Sequence, residues 1–240
     1  MLKVIHTLGV VLLLNTIVLA QPYKMLSFRA GGGLSATTFP TAATAISGQN
    51  NSQKATTVAT YMAGIGLNIP IAGRLSFQPE LTYIRKGYGL DYTQNGVKAT
   101  GTYFFNYIEV PLFVKIAFAS DRFRFFAFAG PSVGYGLNGK FDQKAVSGAN
   151  TISQAGKVVF GEGQSTSSIQ YYSKNSFQQL DIGAQGGIAV GTRVGTGLFL
   201  LELRGGFGLT DFSKNEESKF RAGMIALSYG IPLGSVGNAQ

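Results

Sequence analysis

The stretch "NYIEVPLFVK", Asn106 to Lys115, sets a glutamate and a lysine inside a run that is otherwise apolar, β-branched or aromatic. Successive side chains of a strand point to opposite faces. Ile108, Val110, Leu112 and Val114 therefore share one side, and Tyr107, Glu109, Pro111, Phe113 and Lys115 the other. One face is wholly aliphatic and the other is mixed. Such a division fits a soluble sheet with a core side and a water side, and equally a membrane barrel with a lipid side and a lumen side.

Composition bears on the choice. Charged residues make up 13% of the 240-residue chain, about half the roughly 25% of ordinary soluble domains, while 33 residues are Gly and 12% are aromatic. No stretch after residue 20 approaches the roughly 18 to 20 uninterrupted apolar residues of a spanning helix. A membrane crossing by the mature chain would use strands. The first twenty residues, "MLKVIHTLGVVLLLNTIVLA", have a basic start at Lys3, an apolar run from Leu8 to Leu19 and a small residue at Ala20. This is the form of a secretory signal peptide cut between Ala20 and Gln21. The expected division is a signal peptide over 1–20 and a single β-barrel domain over 21–240.

With no Cys in the chain, neither a lipoprotein anchor nor disulfide staples are expected. Cleavage would also remove the only histidine, His6, and Lys3. Taking Lys3 from 20 leaves 19 Lys and Arg against 11 Asp and Glu, a net of +8. The excess has two readings: attraction to the phosphates of lipopolysaccharide or other anionic surface polymers, or lumen and loop charges that serve solubility and internal pairing. Nucleic acid is not an expected partner, because the chain is exported and its basic residues are scattered.

Eight segments alternate as strands do, near 25–36, 58–69, 74–86, 104–118, 123–137, 177–192, 196–210 and 219–232. Their connections alternate as well. Thr37–Thr57, Gly87–Tyr103 and Asn138–Ser176 are long, while "PIAG", "ASDR" and "RVG" are tight. That is the pattern of a barrel with external loops and periplasmic turns, and an even number lets an antiparallel sheet close on itself. The long loops are rich in Ser, Thr, Asn, Gln and Gly, a solvated and mobile composition. Pro79, Pro111 and Pro131 fall inside strands and are read as bulges or kinks.

Compared segment by segment, one face stays apolar and free of charge along its middle, and the other is small and polar. A soluble lipocalin-like barrel would be heavily charged outside, so the polar face is read as a narrow lumen. This answers the opening stretch: Glu109 and Lys115 point inward. A charge confined there needs a partner, and Arg29, Glu80, Glu109, Lys115, Asp181, Glu202 and Arg204 form the expected internal ionic network, with structural plugging as its role. Aromatic residues at strand ends, Tyr23, Tyr83, Tyr103, Phe104, Phe123, Tyr135, Phe177, Phe212 and Tyr229, suit girdles at the membrane interfaces.

The stretches "YIEVPLFVK", "SFQPELTYIRKGYG" and "FFAFAGPSVGYGL" resemble the porin-family-like small outer-membrane barrels of Gram-negative bacteria, which include the PorT-like family and are related in architecture to OmpA and OmpX. The resemblance runs from about residue 25 to 232. It implies an all-β, eight-stranded antiparallel up-and-down transmembrane barrel in the bacterial outer membrane. Some relatives are linked to secretion or gliding machinery, and most have no assigned activity. Many outer-membrane barrels end on an aromatic residue read by assembly machinery; here the last aromatic is Tyr229, ahead of "GIPLGSVGNAQ".

Enzyme readings fail on inventory. A mature chain without His or Cys has no Ser-His-Asp or Cys-His nucleophile system and no ordinary zinc site. Glu216 and Glu217 are adjacent but read as a solvated pair in a loop. "GGGL" at Gly31 and "GEG" at Gly161 lack the lysine or helix of a phosphate-binding loop. No catalytic residue, metal or cofactor is expected. The leading expectation is a structural or surface-interaction barrel whose long loops meet envelope or surface proteins, with outer-membrane lipid and lipopolysaccharide around it and a monomer as its state. A channel or secretion component and a soluble periplasmic ligand-binding barrel are the alternatives.

Overall fold

The computed structural model describes residues 24–38, 52–94, 97–119, 123–158, 160, 171–172, 177–214 and 217–233. The expected cleavage site at Ala20 and Gln21, Tyr23, and most of the Thr37–Thr57 and Asn138–Ser176 loop sequences outside strands lie beyond these residues. Among these residues there are eleven strands: β1 (Met25–Thr38), β2 (Ser52–Thr56), β3 (Val58–Ala72), β4 (Leu75–Gln94), β5 (Val97–Ala119), β6 (Arg124–Ser147), β7 (Asn150–Val158), β8 (Tyr171–Tyr172), β9 (Leu180–Val194), β10 (Gly197–Gly208) and β11 (Lys219–Pro232).

Eight of them close a ring. In order around it stand β1, β3, β4, β5, β6, β9, β10 and β11, each antiparallel to its neighbours, and β11 returns to β1 from Met25↔Pro232 to Thr38↔Lys219. These are the eight segments read from the alternation. At one end lie the turns at Gly73 and Gly195, whose φ values of 51° and 61° suit glycine, together with the start of β1 and the end of β11. The remaining strands lie at the other end: β2 pairs with β4, β7 with β6, and β8 with β7.

The three prolines are not bulges. Pro79↔Leu112 and Thr82↔Glu109 keep one register across β4–β5, Pro111↔Ser132 and Val114↔Ala129 keep one across β5–β6, and Pro131↔Ala184 sits in an unbroken β6–β9 ladder. The register shifts instead opposite Asn106/Tyr107, where Leu137 is the extra residue of β6, and between Pro70 and Ala72 near a turn. A proline removes one donor but need not insert a residue, so a ladder can skip a rung without slipping.

The apolar face points outward. Val114 (54% exposed), Leu203 (56%) and Ile188 (60%) belong to a belt that also holds Phe28, Ile65, Leu81, Leu112, Phe125, Val133 and Leu227. So continuous an apolar surface is not left in water. With the closed ring pairing every barrel strand on both sides, the fold satisfies the two demands of a hydrocarbon environment, an apolar exterior and no open sheet edge at that depth.

The sequence placed two long loops where the structure has strand. Gly87–Tyr103, read as a loop, continues β4 and β5 as a hairpin to Gln94 and Val97. The beginning of Asn138–Ser176 continues β6 to Ser147 and turns at Gly148 (φ 57°) into β7. Polar outward residues such as Lys98, Thr100 and Thr102 remove the apolar alternation that marks a buried strand, yet backbone pairing with neighbours already in register carries the sheet onward.

Candidate functional site

All seven residues of the expected ionic network are buried in the barrel: Arg29, Glu80, Glu109, Lys115, Asp181, Glu202 and Arg204. They do not form one network. Five gather toward the tight-turn end. Arg204 grips Glu80 with Nη1 and Nη2, each at 2.9 Å, and donates from Nε to Glu202 at 2.6 Å. Arg29 pairs with Glu80 and donates to Ser27 Oγ at 2.7 Å. Ser228 donates to the free oxygen of Glu202 at 2.7 Å. Lys115 makes no ion pair among the described residues; it donates to Gln78 Oε1 at 3.0 Å and lies 4.3 Å from the centre of the Phe126 ring. Gln78 in turn donates to Glu80 at 2.6 Å, so Lys115 joins the cluster through an amide.

The other two acids, Glu109 and Asp181, meet in a second cluster around Lys86. This lysine pairs with Glu109 and, at 3.0 Å, with Asp181. Gln185 donates to the second oxygen of Glu109 at 2.8 Å, and Thr210 reaches Asp181 at 3.4 Å. Sequence reasoning missed Lys86, although it lies within the 74–86 segment, because the inward residues were followed only to Thr82. The signal was present: Gln78, Glu80, Thr82, Ile84 and Lys86 share one parity on β4, so following that parity to the end of the segment places the lysine inside.

Aromatic and apolar layers lie beyond the charges at both ends. At the tight-turn end, Met25, Phe113, Ala117, Phe126, Phe128, Ala189, Leu198 and Leu200 pack together. At the other, Phe105 is fully buried with ring-centre distances of 4.9 Å to Phe177, 5.6 Å to Phe220, 5.8 Å to Phe212 and 6.1 Å to Tyr88. Phe177 and Phe212 are brought over the mouth by the Phe177↔Ser213 bridge and by Gln178 N donating to Phe212 O at 2.7 Å. Tyr103, Phe177 and Phe212, expected in the interfacial girdle, therefore belong to the lumen plug. Tyr103 shares the inward parity of Phe105 and Tyr107, and the other two lie on segments that fold inward. Phe123 and Tyr135 stay exposed, while Tyr83, Phe104 and Tyr229 are half-buried on the outward parity.

The interior has little free room. A cavity of about 20 Å³ touches Lys86, Ser132, Gln185, Phe220 and Met224, about the space of one water. Glycines make the packing possible: a Cβ on Gly66 would lie 2.8 Å from Arg29 Nη2 and 3.2 Å from Glu80 Cγ, and one on Gly136 would lie 2.8 Å from the Phe160 ring.

Beyond the belt, β4, β5, β6 and β7 with β2 form a wall at the long-loop end. Its outward side changes from Val110 and Ile108 to Thr102, Thr100 and Lys98 along β5, and to Lys140, Asp142 and Lys144 along β6. Its inner side carries a hollow of about 220 Å³ bounded by Leu90, Tyr92, Tyr103, Gln143, Ile152 and Gln154.

A closed eight-stranded ring with an apolar exterior and a plugged, charge-paired interior defines a small transmembrane β-barrel of the bacterial outer membrane. Residues 19–214 match the family described as outer membrane protein beta-barrel domain, and the chain belongs to that family. Among solved structures, Neisserial surface protein A has 9% identity over 87% of this chain and 97% of its own, with a TM-score of 0.43. OprG of Pseudomonas aeruginosa has 10% identity over 89% and 99%, TM-score 0.41. Ail, the attachment invasion locus protein of Yersinia pestis, has 8% identity over 88% and 100%, TM-score 0.35. No curated protein matches in sequence.

Proposed function

We propose that this barrel is a non-catalytic surface-interaction protein: a rigid, plugged post whose wall above the membrane is the binding surface. The observation that carries the reading is the length of β5 and β6, 23 and 24 residues, against the roughly 9 to 11 that cross a bilayer. Much of that surplus forms ordered sheet with a polar outward side and an inner hollow of mixed aromatic, aliphatic and amide lining. Beyond its short pairing with β8, β7 also leaves a strand edge unpaired among the described residues, a surface to which another chain can add.

The filled lumen supports a post over a channel. Among the described residues, buried ion pairs and two apolar layers occupy the lumen, around an interior cavity of about 20 Å³. Catalysis has no support either: the chain's only His is His6, it has no Cys, and no group of three metal-capable side chains occurs among the described residues.

The test is a photo-reactive residue placed at Tyr92, on the inner side of the wall, and at Val110, in the lipid belt, in cells carrying the protein. A discrete protein adduct is expected from position 92 and none from 110, and replacing residues 142–156 by a two-residue turn is expected to abolish it while the barrel still shifts on heating. Absence of adducts along the whole wall, together with discrete conductance steps in a planar bilayer, would overturn the reading in favour of a channel.

A further inference from the structure

The lumen holds four cations, Arg29, Lys86, Lys115 and Arg204, and four acids, Glu80, Glu109, Asp181 and Glu202. Among the described residues its charge is balanced. Outside the lumen, the described residues hold 13 Lys and Arg against 4 Asp and Glu, so the excess of positive charge among them lies outside it. Part of it is concentrated where the apolar belt ends on the long-loop side. There a row of outward positions crosses five adjacent strands: Tyr61 on β3 opposite Arg85 on β4, Phe104 on β5 opposite Lys140 on β6, and Lys140 opposite Lys157 on β7.

We infer that this row is a docking site for a phosphorylated glycolipid of the outer leaflet, with Arg85, Lys140 and Lys157 holding its phosphates. The Arg85 guanidinium lies 3.7 Å from the Phe104 ring centre and 5.6 Å from that of Tyr61. Stacking fixes the plane of the guanidinium while leaving N–H groups at its edge, the fork that matches a phosphate. Lys140 and Lys157 are both exposed and directly cross-strand. Like charges so placed repel, and a shared anion relieves them. Asp142, one outward step along β6, is the acid facing them from their own sheet, yet none of the three cations makes an ion pair among the described residues.

Position selects the occupant. Tyr83, Ile108 and Tyr135 lie on the same outward face just below the row, and Leu81, Val110 and Val133 continue it into the belt. A phosphate bound by the three cations thus has a surface for acyl chains immediately beneath it. A soluble polyanion has no use for that adjacency; a lipid with phosphates on its headgroup uses both halves.

The test titrates the full-length folded protein in neutral detergent with diphosphoryl lipid A, with the same lipid stripped of its phosphates, and with inorganic phosphate, reading bound lipid by native mass spectrometry. The diphosphoryl lipid is expected to bind about tenfold or more tightly than the stripped form, and the R85A/K140A/K157A variant to lose about the same factor, as two or three charge-assisted contacts are removed. Equal binding of the stripped lipid, or unchanged binding by the triple variant, overturns the inference. Full competition by millimolar inorganic phosphate reassigns the site to free phosphate and overturns the lipid assignment. Should the triple variant fail to fold, Lys157→Ala, on a strand outside the ring, is read instead: an affinity loss supports the site and no loss overturns it.

Discussion

The two buried charge clusters are unbalanced in opposite senses. The one toward the tight turns has three cations, Arg29, Lys115 and Arg204, for two acids, Glu80 and Glu202; the one toward the long loops has a single cation, Lys86, for Glu109 and Asp181. One carries +1 and the other −1. Among the described residues, neutrality is thus a property of the two clusters taken together, and no described ion pair joins them. Each accommodates its surplus with neutral groups. The spare cation rests on an amide oxygen and the face of Phe126; the spare acid is met by Gln185 and Thr210. The cost of losing a charge therefore depends on whether it is the minority or the majority in its own cluster.

Lys86→Met tests the minority case and carries the largest expected effect. It leaves two buried carboxylates with no cation in contact, and breaking a buried pair from one side costs about 3–5 kcal/mol. The folded, fast-migrating form on an unboiled denaturing gel is expected to collapse at a much lower temperature than in the wild type. The double variant K86M/D181N, which removes one acid with the lysine, is expected to recover part of the loss. A K86M midpoint unchanged from wild type would show that the cluster toward the long loops contributes no stability.

Gly66→Ala comes next and probes the other cluster by volume. Its Cβ would press on the Arg29–Glu80 pair at 2.8–3.2 Å, and overpacking of this kind typically costs about 1–3 kcal/mol. Arg29 is held by its contacts with Glu80 and Ser27 and cannot swing aside freely. A lowered unfolding midpoint in urea with unchanged slope is the expected result; no shift would mean that the guanidinium moves without cost.

How much of this was readable beforehand follows the same contrast. Alternation alone located all eight ring strands and seven of the eight inward acids and bases, because in a barrel with lipid outside, parity and burial are tied. The division into two clusters was not readable. Parity says which side a residue faces and nothing about height, and height depends on the stagger between strands, a property of the closed ring. Lys86 escapes because the apolar Ile84 interrupts the polar inward series after Thr82, although the segment itself reaches 86. Tyr103 was assigned to a girdle because it sat at an assumed strand end, although its parity matched Phe105. Phe177 and Phe212 carried no signal of their own, since nothing in a loop sequence shows that it folds back over a barrel mouth.

Lys115→Met carries the smallest expected effect and separates the two clusters most sharply. Lys115 is the majority charge of its cluster, and its removal leaves Arg29 and Arg204 facing Glu80 and Glu202, two against two. What is lost is one hydrogen bond to Gln78 and the contact with Phe126, while the unbranched methionine side chain keeps much of the volume. Gln78 still donates to Glu80. A net hydrogen bond is worth about 1 kcal/mol, so the midpoint of the heat-induced gel shift is expected to move only slightly. The two Lys→Met changes remove the same chemical group from the interior of the same barrel, yet the expected losses differ by about 2 kcal/mol or more. Equal losses from K86M and K115M would mean that burial of the ammonium group, and not the local balance of charge, sets the energy of each cluster.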